Sequence, residues 1–443
     1  MADLAFKYPN LAEISGESIN EAGLRALGIK GSALTSLEFE HARATNAGID
    51  ILCKGNRGLK KLSLPMGHDS SVTDEGVRSI VKYCPELEQI SLVGWNKISN
   101  KSFDLLSTLP CLKKVSLSYY KNLNIAGIIS LLRRIGGQLE VLKLCGESDR
   151  TRQMSSYGNN ALLQCIGECC PKLRELDVDS RTTDNITEVT FATLFQGCPL
   201  LEALECTHLP DIGLFQLAQH CPRLLKLELY TRGLFDAGIV AVSKGCAGLK
   251  ILRLHYADLL TDASILSLTG RCKNLEDIYL ANSTAVTDRA LTQLFESCTG
   301  LTAVYLRALP LITDQSIETL VSCCPRLKDI SFAFVTDKSM AALARVATLE
   351  RLRLEWSPTL TDDTISLIAL NCKKLKRAAI TNCPLVTVQG LIELLTHGKR
   401  LIDIEIYKCS ITLTPEILET YLTRQPGARR LEVHLDDGFA YAK

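Results

Sequence analysis

The sequence predicts an α/β solenoid, a stack of short strand–helix units, on three observations. Leucine anchors recur along nearly the whole 443-residue chain at a spacing near 26. Each anchor opens a short run whose apolar residues alternate with period two, the pattern of a half-buried strand. After a turn, apolar residues follow at helical spacing. A unit of this size cannot bury its apolar face alone, so its neighbours must stack on it.

Fifteen anchors run from Leu34 to Leu401 at spacings of 22 to 34 residues, with a partial unit at Leu11 and a degenerate one at Leu431-Glu432-Val433, about seventeen in all. That period lies in the leucine-rich-repeat range. The expected fold is therefore one right-handed leucine-rich-repeat solenoid over residues 1–443, a horseshoe with a concave parallel sheet and convex helices.

Within a unit each part follows from its chemistry. In the run from Leu301 to Leu306, Val304 and Leu306 point inward, while Ala303, Tyr305 and Arg307 face the other side of the strand. Thr313-Asp314 then precedes Ile317, Leu320 and Val321 at helical spacing. The threonine oxygen suits the unpaired amides of a helix start, and the aspartate suits the positive end of its dipole. The same pair recurs at Thr73-Asp74, Thr261-Asp262, Thr287-Asp288, Thr336-Asp337 and Thr361-Asp362. Helices end on cysteine: Cys84, Cys170, Cys198, Cys221, Cys246, Cys272, Cys298, Cys324 and Cys372 each lie three residues before an anchor. Successive sulfurs then sit in adjacent repeats with no Cys-x-x-Cys pair, so zinc spacing is missing and the thiols are expected to be reduced, metal-free core groups.

Composition narrows the function classes. With 46% hydrophobic and 22% charged residues the chain has apolar surface enough to fold. Its net charge of +1 supplies no global field toward nucleic acid or an acidic membrane. Nothing in the sequence has the make-up of a leader or a membrane span, so a cytoplasmic or nuclear protein is expected. The matches to glycosylation acceptors at Asn100, Asn185 and Asn282 are read as chance.

The unit Cys-Pro-x-Leu followed by Ile/Val/Leu-Thr-Asp-x-x-Leu, as in Cys324-Pro325-Arg326-Leu327 and Val286-Thr287-Asp288-Arg289-Ala290-Leu291, resembles the cysteine-containing leucine-rich repeat. That subclass is typical of F-box/LRR substrate receptors of SCF ubiquitin ligases and of antagonist-of-mitotic-exit-like proteins. The resemblance implies a protein-recognition module. In the family an F-box binds the Skp1 adaptor ahead of the repeats. Here the first repeat begins at Tyr8-Pro9-Asn10-Leu11 and no F-box is found. The expectation is a substrate-binding half whose adaptor function is missing or lies on another subunit, so that cullin-type ligase subunits are met indirectly. The alternatives are an F-box-independent scaffold or regulator that binds a signalling or cell-cycle protein and, further off, a GTPase-activating repeat protein. Cys383 and Cys409 match the family's second cysteine position.

No phosphate-binding loop, zinc-protease helix or nucleophile elbow is present. The seven histidines are scattered, and His220-Cys221 is not read as a catalytic pair because that cysteine falls on a core position. The protein is expected to be non-enzymatic, without cofactor or metal.

Binding is where the residues speak. Strand positions two, four and six after each anchor face away from the core. They carry Glu175, Asp177, Asp179 and Glu205, an acidic patch, and further on Tyr230, Arg253, His255, Tyr279, Tyr305, Arg307, Arg351, Arg353 and Glu355, with Tyr256, Phe334 and Trp356 just beyond. Tyrosine, tryptophan and arginine are the residues of interaction hot spots. Exposed strand tyrosines also arise from β-propensity and cross-strand stacking, so the sequence leaves both readings open. Trp95, Tyr119 and Tyr120 are read as local packing. A polar insertion at residues 146–160 accounts for the longest spacing and is either a tolerated loop or a partner contact.

Overall fold

A computed structural model of the chain describes residues 12–29, 33–67, 71–117, 125–144, 160–178 and 186–410 and the backbone of 432–435 and 438–441. Leu11, Tyr119, Tyr120, Asp179, Asn185 and nearly all of the 146–160 insertion lie outside them.

The chain forms two compact units, Met1–Leu224 and Leu225–Lys443. In the first, β1 (Glu13–Ile19), β2 (Ser36–Ala42), β3 (Lys61–Ser63), β4 (Gln89–Ser91), β5 (Lys114–Ser116), β6 (Val141–Lys143), β7 (Glu175–Val178) and β8 (Ala203–Cys206) alternate with helices, and each strand pairs in parallel with the next. In the second, β9 (Lys226–Leu229), β10 (Ile251–Leu254), β11 (Asp277–Ala281), β12 (Ala303–Arg307), β13 (Asp329–Ala333), β14 (Arg351–Glu355), β15 (Arg377–Thr381), β16 (Asp403–Tyr407) and β17 (Glu432–Leu435) form a parallel ladder. There β18 (Gly438–Tyr441) turns back antiparallel to β17. This is the leucine-rich-repeat α/β fold.

Register builds the core. Leu252, Ile278, Val304, Ile330 and Leu352 stand opposite one another in consecutive strands, as do Leu254, Leu280, Leu306 and Phe332, and all are buried. The fifteen anchor leucines are buried as well. Side-chain period two sends the intervening residues to the opposite face of the sheet, which carries the site.

Two polar ladders lock one repeat to the next. The Thr-Asp pair does more than cap a helix. Thr313 donates its amide and hydroxyl to the carboxylate of Asp288, one repeat earlier, at 2.9 and 2.6 Å, and Ser316 joins the same carboxylate. Thr261 on Asp236, Thr287 on Asp262 and Thr387 on Asp362 repeat the arrangement. Burial raises the Asp288 carboxyl, but the bonds from Ser316 and Thr313 outweigh it and leave the group below its ordinary value. The helix-end cysteines form the second ladder. Cys198, Cys298 and Cys324 donate their thiols to the backbone carbonyls of Cys170, Cys272 and Cys298 at 3.6, 3.4 and 3.7 Å. Burial pushes Cys198 and Cys324 up to about 12 and Cys298 to about 11, so they stay protonated donors. At the same position Asn56 uses its amide to reach Leu52 and Leu27 carbonyls.

Candidate functional site

The site lies within the unit Leu225–Lys443, on the sheet face opposite the helices. β9 and β10 place Tyr230 beside His255, whose rings stack at 3.9 Å and 9°. His255 meets Tyr279 at 4.3 Å, and Tyr279 meets Tyr305, its register partner on β12, at 5.9 Å. Four repeats thus contribute one row of rings.

Carboxylates lie beneath the row. Glu228 accepts from the Tyr230 hydroxyl at 2.9 Å, faces His255 Nε2 at 3.1 Å and pairs with Lys226 at 3.0 Å. Burial raises its pKa, yet the His255 bond and the Lys226 and Arg253 charges prevail and hold it down at about 2. Arg253 forks onto Asp277 through Nε at 3.1 Å and Nη2 at 2.5 Å, with its guanidinium 5.6 Å from the Tyr305 ring. Burial, then the neighbouring Asp329, lift the Tyr305 phenol, which stays protonated.

At the strand ends the backbone takes an unusual course. The residue following each strand from β11 to β16 has positive φ: Asn282 (64°), Ala308 (53°), Phe334 (61°), Trp356 (50°), Asn382 (54°) and Lys408 (52°). Asparagine tolerates this region, whereas Ala, Phe and Trp are strained in it by ~1–2 kcal/mol. The ladder holds them there, since Trp356 donates its amide to Thr381 at 2.9 Å and Phe334 to Glu355 at 3.3 Å. Both aromatic side chains are half exposed, Phe334 at 50% and Trp356 at 54%.

These features enclose an open groove of about 500 Å³ at the strand ends. Tyr230, His255, Tyr256 and Tyr279 line one side, Phe334 and Trp356 the other, and Ala281, Asn282, Ala308 and Ala333 lie between. Arg307 on β12 reaches Glu355 on β14 with Nη2 at 2.7 Å and Nε at 3.1 Å. Ala333, on the strand between, is small enough to let the pair pass.

The structure therefore brings Tyr230, His255, Tyr279, Arg307, Glu355 and Trp356 together in one groove. Arg253 and Tyr305 stand beside it, tied to Asp277 and Asp329. Arg351 and Arg353 do not line it. Arg351 lies on Asp329 at 2.6 Å, and Arg353 is exposed beside Ser331 and Ala379. In the other unit Asp177 and Glu205 are register partners, but Lys143 pairs with Glu175 at 2.7 Å, so the acidic patch is partly neutralised. Sequence reasoning missed Glu228, Asp277 and Asp329, which occupy the same outward columns. Opposite charges one repeat apart, in register for Glu228 with Arg253 and Asp329 with Arg351 and diagonal for Asp277 with Arg253, were the signal, hidden because outward strand residues read as exposed. The half-burial of Tyr279 and Tyr305 has the same cause: neighbouring long side chains cover them.

No family model matches the chain. It is 30% identical over 239 residues to F-box/LRR-repeat protein 4 of Bos taurus, covering 48% of this chain and 37% of the relative. DNA repair protein rhp7 of Schizosaccharomyces pombe is 26% identical over 40% of this chain and 31% of its own length. Putative F-box/LRR-repeat protein 9 of Arabidopsis thaliana is 32% identical over 19% and 36%. The chain thus spans about a third of the length of these relatives. Among solved structures, the crystal structure of a yeast Rad7 and Elc1 complex contains a chain that superposes with a TM-score of 0.57 at 18% identity, over 78% of this chain and 86% of that one, a likeness of fold. Repeat, ladder and relatives converge: the chain has the leucine-rich-repeat fold and is similar, over part of its length, to F-box/LRR-repeat proteins.

Proposed function

We propose that the chain is a non-enzymatic protein-recognition module, similar to the substrate-binding part of an F-box/LRR ubiquitin-ligase receptor, and that a partner protein docks at the groove on Leu225–Lys443. One observation carries this reading. Two of the largest apolar side chains on the chain, Phe334 and Trp356, are held half exposed on strained backbone at the rim of a groove faced by tyrosines. Strain that a glycine would relieve, kept at successive repeats, points to use of the side chains it projects. The ligase association is supported by the names of the relatives.

Affinity purification of the full chain, of Trp356→Ala and of a helix-face control, Lys338→Ala, followed by mass spectrometry, tests both parts. Partners recovered with the wild type and the control but lost with Trp356→Ala support the groove. Cullin-type subunits among them support ligase association, and their absence beside a groove-dependent partner favours a scaffold or regulator. A partner set indifferent to Trp356 overturns the groove reading.

A further inference from the structure

Resting on that reading, we infer that the groove is built for an acidic peptide segment of a partner protein, with a bulky apolar anchor flanked by carboxylates. The argument lies in how charge is layered on this face. In Arg253–Asp277, Arg307–Glu355 and Arg351–Asp329 the arginine is the outer member: the cations expose 32–51% of their side chains and the carboxylates 7–18%. An approaching chain meets guanidinium edges, while the negative groups are covered by the very cations they hold.

Arg353, beside the groove rather than in its lining, is placed for the flanking part of such a segment. It is exposed, forms no ion pair among the described residues, and stands two residues before Glu355 on β14 with the uncharged Ser331 and Ala379 as register partners. Its planar fork is free for a carboxylate. The apolar part of the occupant follows from the groove's middle, where small alanines leave room between rings on either side. Three strand spacings, ~14 Å, separate β10 from β13, enough to admit a peptide with a large side chain inserted.

Single-stranded nucleic acid also uses aromatic rings and arginines, but it needs cations left uncompensated along a track and ring faces open to bases. Here Arg353 is the one arginine of the four that is outside an ion pair among the described residues, a single point rather than a track, and Tyr230, His255 and Tyr279 close their faces on one another. The acidic peptide is the occupant that fits.

Selection of random displayed peptides against the full chain, with labelled single-stranded oligo(dT) measured alongside by fluorescence anisotropy, tests the inference. The expected outcome is enrichment of sequences with an aromatic residue or leucine within a few residues of two or more acids. Arg353→Glu is the cleanest variant, because removing an exposed, unpaired guanidinium leaves the fold intact; it should weaken the best peptide by about tenfold. Weakening by added salt should accompany this. Enrichment without acids, no enrichment at all, or tighter binding of oligo(dT) overturns the inference. A partner captured by affinity purification that is lost with Trp356→Ala but indifferent to Arg353→Glu overturns the acidic specificity alone and leaves the recognition function standing.

Discussion

The chain has two tryptophans, one in each unit, and they sit one repeat position apart. In the repeats that hold them, counting from the anchor leucine, the seventh residue takes positive φ and the eighth turns into the core. After Leu87 these are Gly94, with φ 77°, and Trp95, fully buried with Nε1 donating to the Leu64 carbonyl at 2.9 Å. After Leu349 they are Trp356, with φ 50°, and Ser357, fully buried, whose Oγ accepts from the Val335 amide and donates to the Glu355 carbonyl. At Gly94 a side chain is excluded outright, because a Cβ there would lie 1.7 Å from the Met66 carbonyl oxygen. The same backbone therefore hides one indole and displays the other. The difference teaches that the repeat's core is generic, while the seventh position decides what each repeat shows.

The largest effect should separate the two indoles. Trp95→Ala is expected to cost ~3–5 kcal/mol through a cavity and an orphaned carbonyl, whereas Trp356→Ala should change stability by well under ~1 kcal/mol. Urea melts of both variants check this, and equal losses would break the comparison.

Glu228 tests whether the displayed face also has a structural underside. Its carboxyl lies at about 2 in the fold against 4.5 for the free group. A depressed acid stabilises fully above its unfolded value and loses that contribution as pH falls through its folded one. From these values Glu228→Gln should cost on the order of 3 kcal/mol at neutral pH, and the gap from wild type should shrink between pH ~4.5 and ~2. Chemical denaturation of both proteins across that range measures it; a gap that holds constant would show that the His255 and Lys226 contacts are not what depress the group.

If the core is generic, the cysteine ladder should behave alike in both units. Cys198→Ala and Cys298→Ala each remove a buried sulfur and its bond to a carbonyl one repeat earlier, and each should cost ~1–2 kcal/mol. Matched thermal melts check the equality, and native alkylation should leave both thiols unmodified until the chain unfolds.

Legibility in the sequence follows the same division. Anchors, strand alternation and helix-end cysteines were readable because burial repeats a residue type at a fixed period, and relatively local stacking makes the period sufficient. The row from Tyr230 to Tyr305 was readable as a column. Its closure into a groove was not, because that depends on absent bulk at Ala281, Ala308 and Ala333 and on positive φ at Phe334 and Trp356, and neither leaves a residue pattern. The Asp-to-Thr bonds between repeats were hidden for another reason: the pair is fully explained by capping within one helix, so nothing pointed to a second partner 25 residues on, as for Asp288 and Thr313.

The smallest effect is the most diagnostic. Replacing Trp356 by glycine gives the second unit the seventh-position residue that the first unit has at Gly94. Glycine adopts positive φ freely, so the left-handed strain is released, while its greater freedom in the unfolded chain takes part of that gain back. The half-exposed indole contributes little burial to offset either. Trp356→Gly is therefore expected to leave stability unchanged or raise it by up to ~1 kcal/mol while partner binding drops by about thirtyfold, as hot-spot truncations do. A calorimetric melt read beside a binding isotherm separates the two. A clear loss of stability would mean the indole is packed into the fold as Trp95 is, and the strained backbone would then need no function to explain it.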